Sequence, residues 1–344
     1  MSEQRKYHVA IAGATGAVGA EFLKLLADRK FPMSKLTLLA SARSAGKKLM
    51  YDGQEIEVQE LTPDSFKGVD IALFSAGGSQ SKQFAQAAVD AGAVVIDNSS
   101  AFRMHPDHPL VIPEVNPEDI GKHKGIIANP NCSTIIMLLA VYPMTKLGKV
   151  KRVVCSTYQA ASGAGAQAME ELATQSREVL DGKEPTKECF PHQIAFNLFS
   201  HNSPIGPEGY NEEEMKMINE TRKILHDDEI GVTATCIRVP VLRAHSEAIN
   251  IEFADKRPSL DEVRKALAAF PGMQLQDDPA GNHFPMPIEV SHKYDCFVGR
   301  IRNDLSNDRA VEMFVAGDQI LKGAALNAVQ IAEVLIERFM PATK

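Results

Sequence analysis

The sequence predicts a two-domain α/β chain: an N-terminal Rossmann-type parallel sheet, then an α+β catalytic and dimerisation domain with a mainly antiparallel sheet. Three observations predict it. The chain has 344 residues, roughly twice the usual size of one domain. Up to residue 131, short apolar runs alternate with amphipathic segments, the pattern of βαβ units. Beyond that point strand-like runs follow one another with few long helices between them, which reads as an antiparallel sheet.

In the first part, Tyr7–Ala12 reads as a buried strand and residues 17–30 as a helix. Strands are expected at 35–41, 69–75, 93–97 and 125–128, with a helix over 81–91. In the second part, strands are expected at 151–159, 232–241, 247–254, Cys296–Asn303 and 310–316. Helices are expected at 165–181, Glu212–Leu225 and 259–270, and residues 182–209 read as a long polar loop. A last helix, 318–339, returns to the first domain. The expected domains are 1–131 plus 318–344, which bind a nucleotide, and 132–317, which hold the catalytic and dimer surfaces.

A net charge of −7 argues against a general nucleic-acid binder, which needs clustered Lys and Arg to neutralise phosphates. Local basic pockets for small anions remain open. The five cysteines are odd in number, dispersed, and form no CxxC pair, so neither a disulfide framework nor a zinc ribbon is expected. The opening MSEQRKYHVAIAG enters a strand pattern without an apolar leader segment. The most apolar stretch, 135–141, is too short to span a bilayer. These features predict a cytoplasmic protein without membrane or metal.

The run Gly13-Ala14-Thr15-Gly16-Ala17-Val18-Gly19 follows a strand and opens a helix. Glycines there permit a tight turn and close approach to a pyrophosphate, and the helix N-terminus offers N–H donors. An NAD-preferring site usually ends its second strand on an acid that binds the ribose. Here that strand runs into Ser41-Ala42-Arg43-Ser44 with no acid, so Arg43, Ser41 and Ser44 predict recognition of a 2′-phosphate and hence NADP.

Asn129-Pro130-Asn131-Cys132-Ser133-Thr134 lies between a strand and an apolar helix. That places Cys132 at a helix N-terminus, where the dipole favours a thiolate able to form a thioester or thiohemiacetal. Cys155 and Cys236 lie in strand-like runs and read as structural. Arg238 and His245 share the run RVPVLRAHSEA. Arg238 suits a bidentate carboxylate, and His245, with an ordinary pKa near neutral, suits proton transfer.

At this point the chain resembles the aspartate-β-semialdehyde dehydrogenase family. The matching motifs are GATGAVG, NPNCST, QAASGAG (159–165), EEEMK (212–216), RVPVLRAHSEA (238–248) and DQILKGAALN (318–327), in order over the whole chain. A related reductase for N-acetylglutamyl phosphate shares the chemistry, but NPNCST favours the aspartyl family. The resemblance implies Cys132 as acyl-thioester nucleophile, His245 as general acid/base and Gln159 as the residue orienting the intermediate. It implies Arg238 on the substrate's α-carboxylate, Glu213 on its ammonium, and Arg103, Asn131 and Lys216 as the phosphate site. Ser162, Gly163 and Gln319 would contact the cofactor. Gln319 departs from the family's usual Asn. The implied reaction is reduction of L-aspartyl 4-phosphate by NADPH to the 4-semialdehyde, releasing phosphate, on the route to lysine, methionine, threonine, isoleucine and diaminopimelate.

A homodimer is expected through the second domain, with further pairing to a tetramer as an alternative. Val311, Met313 and Val315 alternate on one strand, and Ile249 and Ile251 on another. Helices 165–181 and Glu212–Leu225 cover only one face of the expected sheet. The apolar alternation therefore predicts an open face for a two-fold partner.

Overall fold

Tyr7–Ala12 (β1) is buried at every position but His8, as a parallel strand covered on both faces requires. It is the centre of the first sheet of a computed structural model that describes residues 5–340. Residues 1–4 and 341–344, the ends of the expected first domain, lie outside the described residues. The chain continues through Ala17–Asp28 (α1), Met33–Ala40 (β2), Lys48–Tyr51 (β3), Gln54–Glu60 (β4), Ile71–Phe74 (β5), Gly78–Asp90 (α2), Val94–Asp97 (β6) and Ile126–Ala128 (β7). The strand order is β3-β4-β2-β1-β5-β6-β7. All neighbours are parallel except the β3–β4 hairpin. Sequence reasoning missed that hairpin, although Asp52-Gly53 carried the signal. Both residues have positive φ, 46° and 77°, as a tight hairpin turn demands.

The second unit begins with Cys132–Thr145 (α3) and Val150–Gln159 (β8). Then come Ala166–Leu180 (α4), Phe199–Ser200 (β9), Glu212–Leu225 (α5), Gly231–Arg238 (β10), His245–Phe253 (β11) and Leu260–Ala269 (α6). Met273–Leu275 (β12), Pro287–Val290 (α7), Cys296–Asn303 (β13) and Ala310–Gly317 (β14) complete it. Its sheet has the order β12-β13-β14-β11-β8-β10-β9. Four of its pairings are antiparallel, but β8 with β10 and β12 with β13 are parallel, so the sheet is mixed. The chain leaves the end of β8 and returns through α4 and α5 before β10, the long crossover that a parallel pair needs.

The apolar side chains expected on an open face are instead core. Val311, Met313, Val315, Ile249 and Ile251 are all buried. They lie under α3, which is buried almost all round from Ile135 to Val141 and packs on β8, β11, β13 and β14. The expectation failed because it counted α4 and α5 as cover and left α3 out. The opposite face alternates Val154, Ser156 and Tyr158 with the buried Val153, Cys155 and Thr157.

The chain divides into two compact units, Met1–Pro130 with Ala324–Lys344, and Asn131–Gly323. The last helix starts later than 318. Asp318 instead accepts the N–H groups of Ile320 and Leu321 at 3.0 and 3.1 Å and pairs with Arg243 at 2.6 Å. A π-helical turn, Leu321–Ala325, leads into Leu326–Val334 (α8) and a second π turn, Leu335–Phe339. In the first unit α8 packs on α1, and Arg29 pairs with Glu333 at 2.6 Å. No helix of the described residues is long and apolar enough to cross a membrane.

Candidate active site

In the second unit, strand register brings four predicted residues to one sheet end. Gln159 closes β8 and Arg238 closes β10; the strands are parallel and the two residues are register partners. His245 opens β11, which runs back along β8 with Ser246 opposite Tyr158. Gly163 lies against both Arg238 and His245. A Cβ at that position would stand 3.0 Å from His245 Cε1, 3.1 Å from its Nε2 and 3.1 Å from Arg238 Nη1. Glycine keeps that space free.

Cys132 is the first residue of α3. Asn131 caps the helix, its side-chain oxygen accepting the N–H groups of Ser133 and Thr134 at 2.9 and 3.2 Å. Its amide nitrogen donates to Glu213 at 2.7 Å. The side chain expected to contact phosphate thus caps the helix and holds Glu213. Gly323, from the π turn, packs on Cys132; a Cβ there would come 2.8 Å from Cys132 Cβ.

Gln159 donates to Ser133 Oγ at 2.9 Å and to Glu213 at 3.4 Å. Glu213 also accepts Lys216 Nζ at 3.2 Å. Burial pushes the Glu213 carboxyl up, but Lys216 and the hydrogen bonds from Asn131 and Lys216 outweigh it and hold the group at about 2. It is ionised at any working pH.

His245 is fully buried, and its pKa is not near neutral. Burial first and the Arg238 charge second lower it to about 3. The Ala160 N–H donates to its Nδ1 at 3.0 Å, so the neutral ring carries its proton on Nε2. Nε2 is buried without a hydrogen-bond partner among the described residues. The ring is thus set to donate from Nε2. The other tautomer, needed to take a proton there, is opposed by the Ala160 N–H.

Gln319 is buried, and its amide is used within the protein. The nitrogen donates to Ser162 Oγ, and the oxygen accepts the Ala244 N–H at 3.0 Å. It braces Ser162 against the residue before His245.

The nucleotide loop lies in the first unit. Gly13 has φ 91°, and a Cβ there would stand 2.5 Å from the Ser75 carbonyl oxygen. A Cβ at Gly19 would stand 2.7 Å from the Ala14 carbonyl carbon. Gly16 differs: its nearest neighbour would be the Gly13 oxygen at 3.4 Å. Gly16 caps α1 without a side-chain hydrogen bond, and Thr15 and Gly16 are exposed, with Ala17 and Val18 half-buried. The first two of these glycines serve the fold, and Gly16 leaves room at the N–H groups of α1. A pyrophosphate fits that cradle. Ser41 and Arg43 are exposed, Ser44 is buried, and Arg43 makes no ion pair among the described residues. Arg103, also in the first unit, is buried and donates to the carbonyls of Asn129 and Asn98, both at 2.9 Å.

Residues 8–123 match the family described as semialdehyde dehydrogenase, NAD binding domain, and residues 141–322 match semialdehyde dehydrogenase, dimerisation domain. An aspartate-semialdehyde dehydrogenase of Synechocystis sp. is 57% identical over 330 residues, covering 96% of this chain and 97% of that one. The chain belongs to the aspartate-semialdehyde dehydrogenase family. A crystal structure of the Vibrio cholerae enzyme II, complexed with ASA, superposes with a TM-score of 0.94 at 43% identity, covering 97% of this chain and 99% of that one. The Candida albicans enzyme with NADP superposes at 0.75 and 27% identity, covering 96% of this chain and 99% of that one. Membership makes the chain an oxidoreductase with a Rossmann nicotinamide-nucleotide domain.

Sequence reasoning missed several residues of this site. Glu220 accepts the Asn131 N–H at 2.6 Å, and its place seven residues after Glu213, on the same face of α5, was a usable signal. Ser133, Glu247 and His201 carried no sequence signal of their own.

Proposed function

We propose that the chain catalyses the NADPH-dependent reductive dephosphorylation of L-aspartyl 4-phosphate to L-aspartate 4-semialdehyde through a Cys132 thioester. The observation that carries the reading is the convergence of a buried, partnerless His245 Nε2 and the Arg238 guanidinium on the space beside Gly163. The Cys132 thiolate, favoured at the start of α3, attacks the acyl carbon. His245 Nε2–H donates a hydrogen bond to the oxyanion that develops as the C–S bond forms; its collapse reforms the carbonyl as the thioester and breaks the C–O bond to phosphate, which leaves. Arg238 holds the α-carboxylate and Glu213, ionised, the ammonium. Arg103 and Lys216 draw phosphate, with Asn131 holding the helix start. Gln159, tied to Ser133 and Glu213, orients the acyl group. When bound, the nicotinamide nucleotide supplies the hydride that reduces the thioester. Gly13 to Gly19, with Ser41, Arg43 and Ser44, would hold its phosphates, and Ser162 and Gly163 its nicotinamide end. Gln319 acts there through Ser162.

NADP is favoured by the unpaired Arg43 at the end of β2 and by the Candida albicans relative. The site serves the route to lysine, methionine, threonine, isoleucine and diaminopimelate. The five cysteines, none in a disulfide among the described residues, suit the reducing cytoplasm. The second unit pairs with another copy in a homodimer. The test is the reverse reaction: aspartate semialdehyde should reduce NADP⁺ only when phosphate is added. Cys132→Ser should bind NADP⁺ normally and lose turnover by about 10³-fold or more, because a hydroxyl is a poor nucleophile at neutral pH. Turnover of N-acetylglutamate semialdehyde in preference would assign the chain to the related reductase.

A further inference from the structure

Arg238, one of the charges proposed to hold the two ends of an α-amino acid, is tied to the backbone of the other, Glu213, through two side chains, His201 and Ser203. His201 follows β9, which pairs antiparallel with the end of β10, Phe199 opposite Arg238. The His201 N–H donates to the Cys236 carbonyl at 2.8 Å, which fixes its backbone beside Arg238. Its Nε2 then lies 2.8 Å from Arg238 Nη2. A guanidinium only donates, so Nε2 is the lone-pair nitrogen and the ring is neutral with its proton on Nδ1. Nδ1 lies 3.0 Å from Ser203 Oγ, and Ser203 Oγ accepts the Glu213 N–H at 3.2 Å. The Ser203 N–H also points at Nδ1, at 3.2 Å, and opposes this tautomer; the shorter contact at 2.8 Å with the charged guanidinium outweighs it.

The remaining anchors of Arg238 are long. Nε to Asn202 Oδ1 and Nη1 to the Ala160 carbonyl are both 3.5 Å, and the guanidinium carbon lies 5.7 Å from the Phe190 ring centroid. The one short bond, which sets the rotation of the guanidinium plane, is to His201. That rotation leaves Nη1 beside Gly163. Burial first and the Arg238 charge second lower the His201 pKa to about 4; Lys216 acts in the same direction and Glu213 against it.

We infer that His201 is a positioning residue that holds Arg238 in the orientation receiving the substrate's α-carboxylate and ties it to the α5 turn bearing Glu213. The inference rests on the proposed roles of those two residues. It makes the site selective for aldehydes and acyl phosphates that carry an α-amino acid group, since a misrotated Arg238 loses its fit to that carboxylate while Cys132 and the phosphate site are untouched.

The test uses the full-length enzyme in the phosphate-dependent direction, with His201→Ala, His201→Gln and Arg238→Lys. His201→Ala should raise KM for aspartate semialdehyde about 10- to 100-fold, the scale of one hydrogen bond to a charged group. KM for phosphate and for NADP⁺ should not change, and kcat should hold within a few-fold. His201→Gln, whose amide oxygen accepts from Arg238, should restore KM towards the wild-type value. It decides the matter if the alanine variant does not fold. In the wild type, ¹⁵N NMR should find the His201 ring neutral and protonated on Nδ1 at pH 6. If Arg238→Lys leaves KM for the semialdehyde unchanged, the assignment of Arg238 is wrong. If Arg238→Lys raises that KM while His201→Ala behaves as wild type, the assignment stands and the role of His201 is overturned. A His201 ring titrating near 6.5, or a glutamine variant as impaired as the alanine, also overturns it.

Discussion

Glu247 shows how one side chain's chemistry follows from where a strand places it. It is fully buried on β11, on the face under α3, opposite Thr157. The Cys155 thiol lies 3.8 Å from its Oε2, and Oε1 has no partner among the described residues. Burial drives its pKa well above the ordinary 4.5, against the hydrogen bonds from Cys155 and Ser133, so the group is a neutral acid in the folded protein. The unfolded chain ionises near 4.5. The stability Glu247 contributes is therefore full below that pH and is lost as pH rises towards the folded value. Glu247→Gln keeps the shape without this penalty. Its advantage in urea denaturation should grow by about 1.4 kcal/mol per pH unit from pH 5 upward, until the folded pKa is reached. A difference that stays constant between pH 5 and pH 8 would show an ionised Glu247 in the fold. His245 obeys the same physics with its pKa moved the other way: burial again removes the charge, and leaves a donor.

At the scale of elements, the ends of strands and helices carry the site. Cys132 begins a helix and Gly16 caps one, and Gln159, Arg238 and His245 come together because three adjacent strands end or begin together. The turn after β2 is the element proposed to choose the cofactor. It is a short 3₁₀ turn, Ala42–Ser44, with Arg43 exposed and without an ion pair among the described residues. Arg43→Ala should weaken NADPH binding about tenfold or more, and NADH binding much less, since only NADPH carries a 2′-phosphate for a charge-assisted bond. Fluorescence titration of both cofactors measures this; equal losses would mean that Arg43 acts on the fold of the turn. The π turn at Leu321–Ala325 was expected as plain helix. Nothing in its apolar periodicity marks the widening, which sets Gly323 against Cys132.

For the whole molecule, the proposed dimer has to be relocated. Its expected apolar face is the buried core beneath α3. Exposed large apolar side chains of the second unit lie elsewhere, among them Phe196 at 64% exposure, Leu198 at 62% and Leu242 at 51%, with Tyr158 on the uncovered face of the sheet. Such residues in a domain of the dimerisation family are candidates for burial against a second copy. Sedimentation at micromolar protein should give a dimer or a multiple of it. Phe196→Asp with Leu198→Asp should shift the species towards monomer. A wild-type monomer would remove the proposal, and an undisturbed dimer in the double variant would move the interface away from this loop.

The amino-acid sequence by itself determined the alternation of the first sheet, the glycine loop, the placing of Cys132 at a helix start and the family motifs. These are local: periodicity, φ requirements and caps act over a few residues, so they are legible without a fold. What only the tertiary structure decided is non-local. The parallel pairing of β8 with β10 depends on a crossover of some seventy residues. The cover on the apolar sheet face depends on which helix reaches it. The neutral rings of His245 and His201, the ionised Glu213 and the protonated Glu247 depend on burial and on charges distant in the chain. The Gln319 amide became a brace and the Asn131 amide a cap because partners arrived from elsewhere. A titratable group's state is set by its surroundings, and those surroundings exist only once the strands have paired.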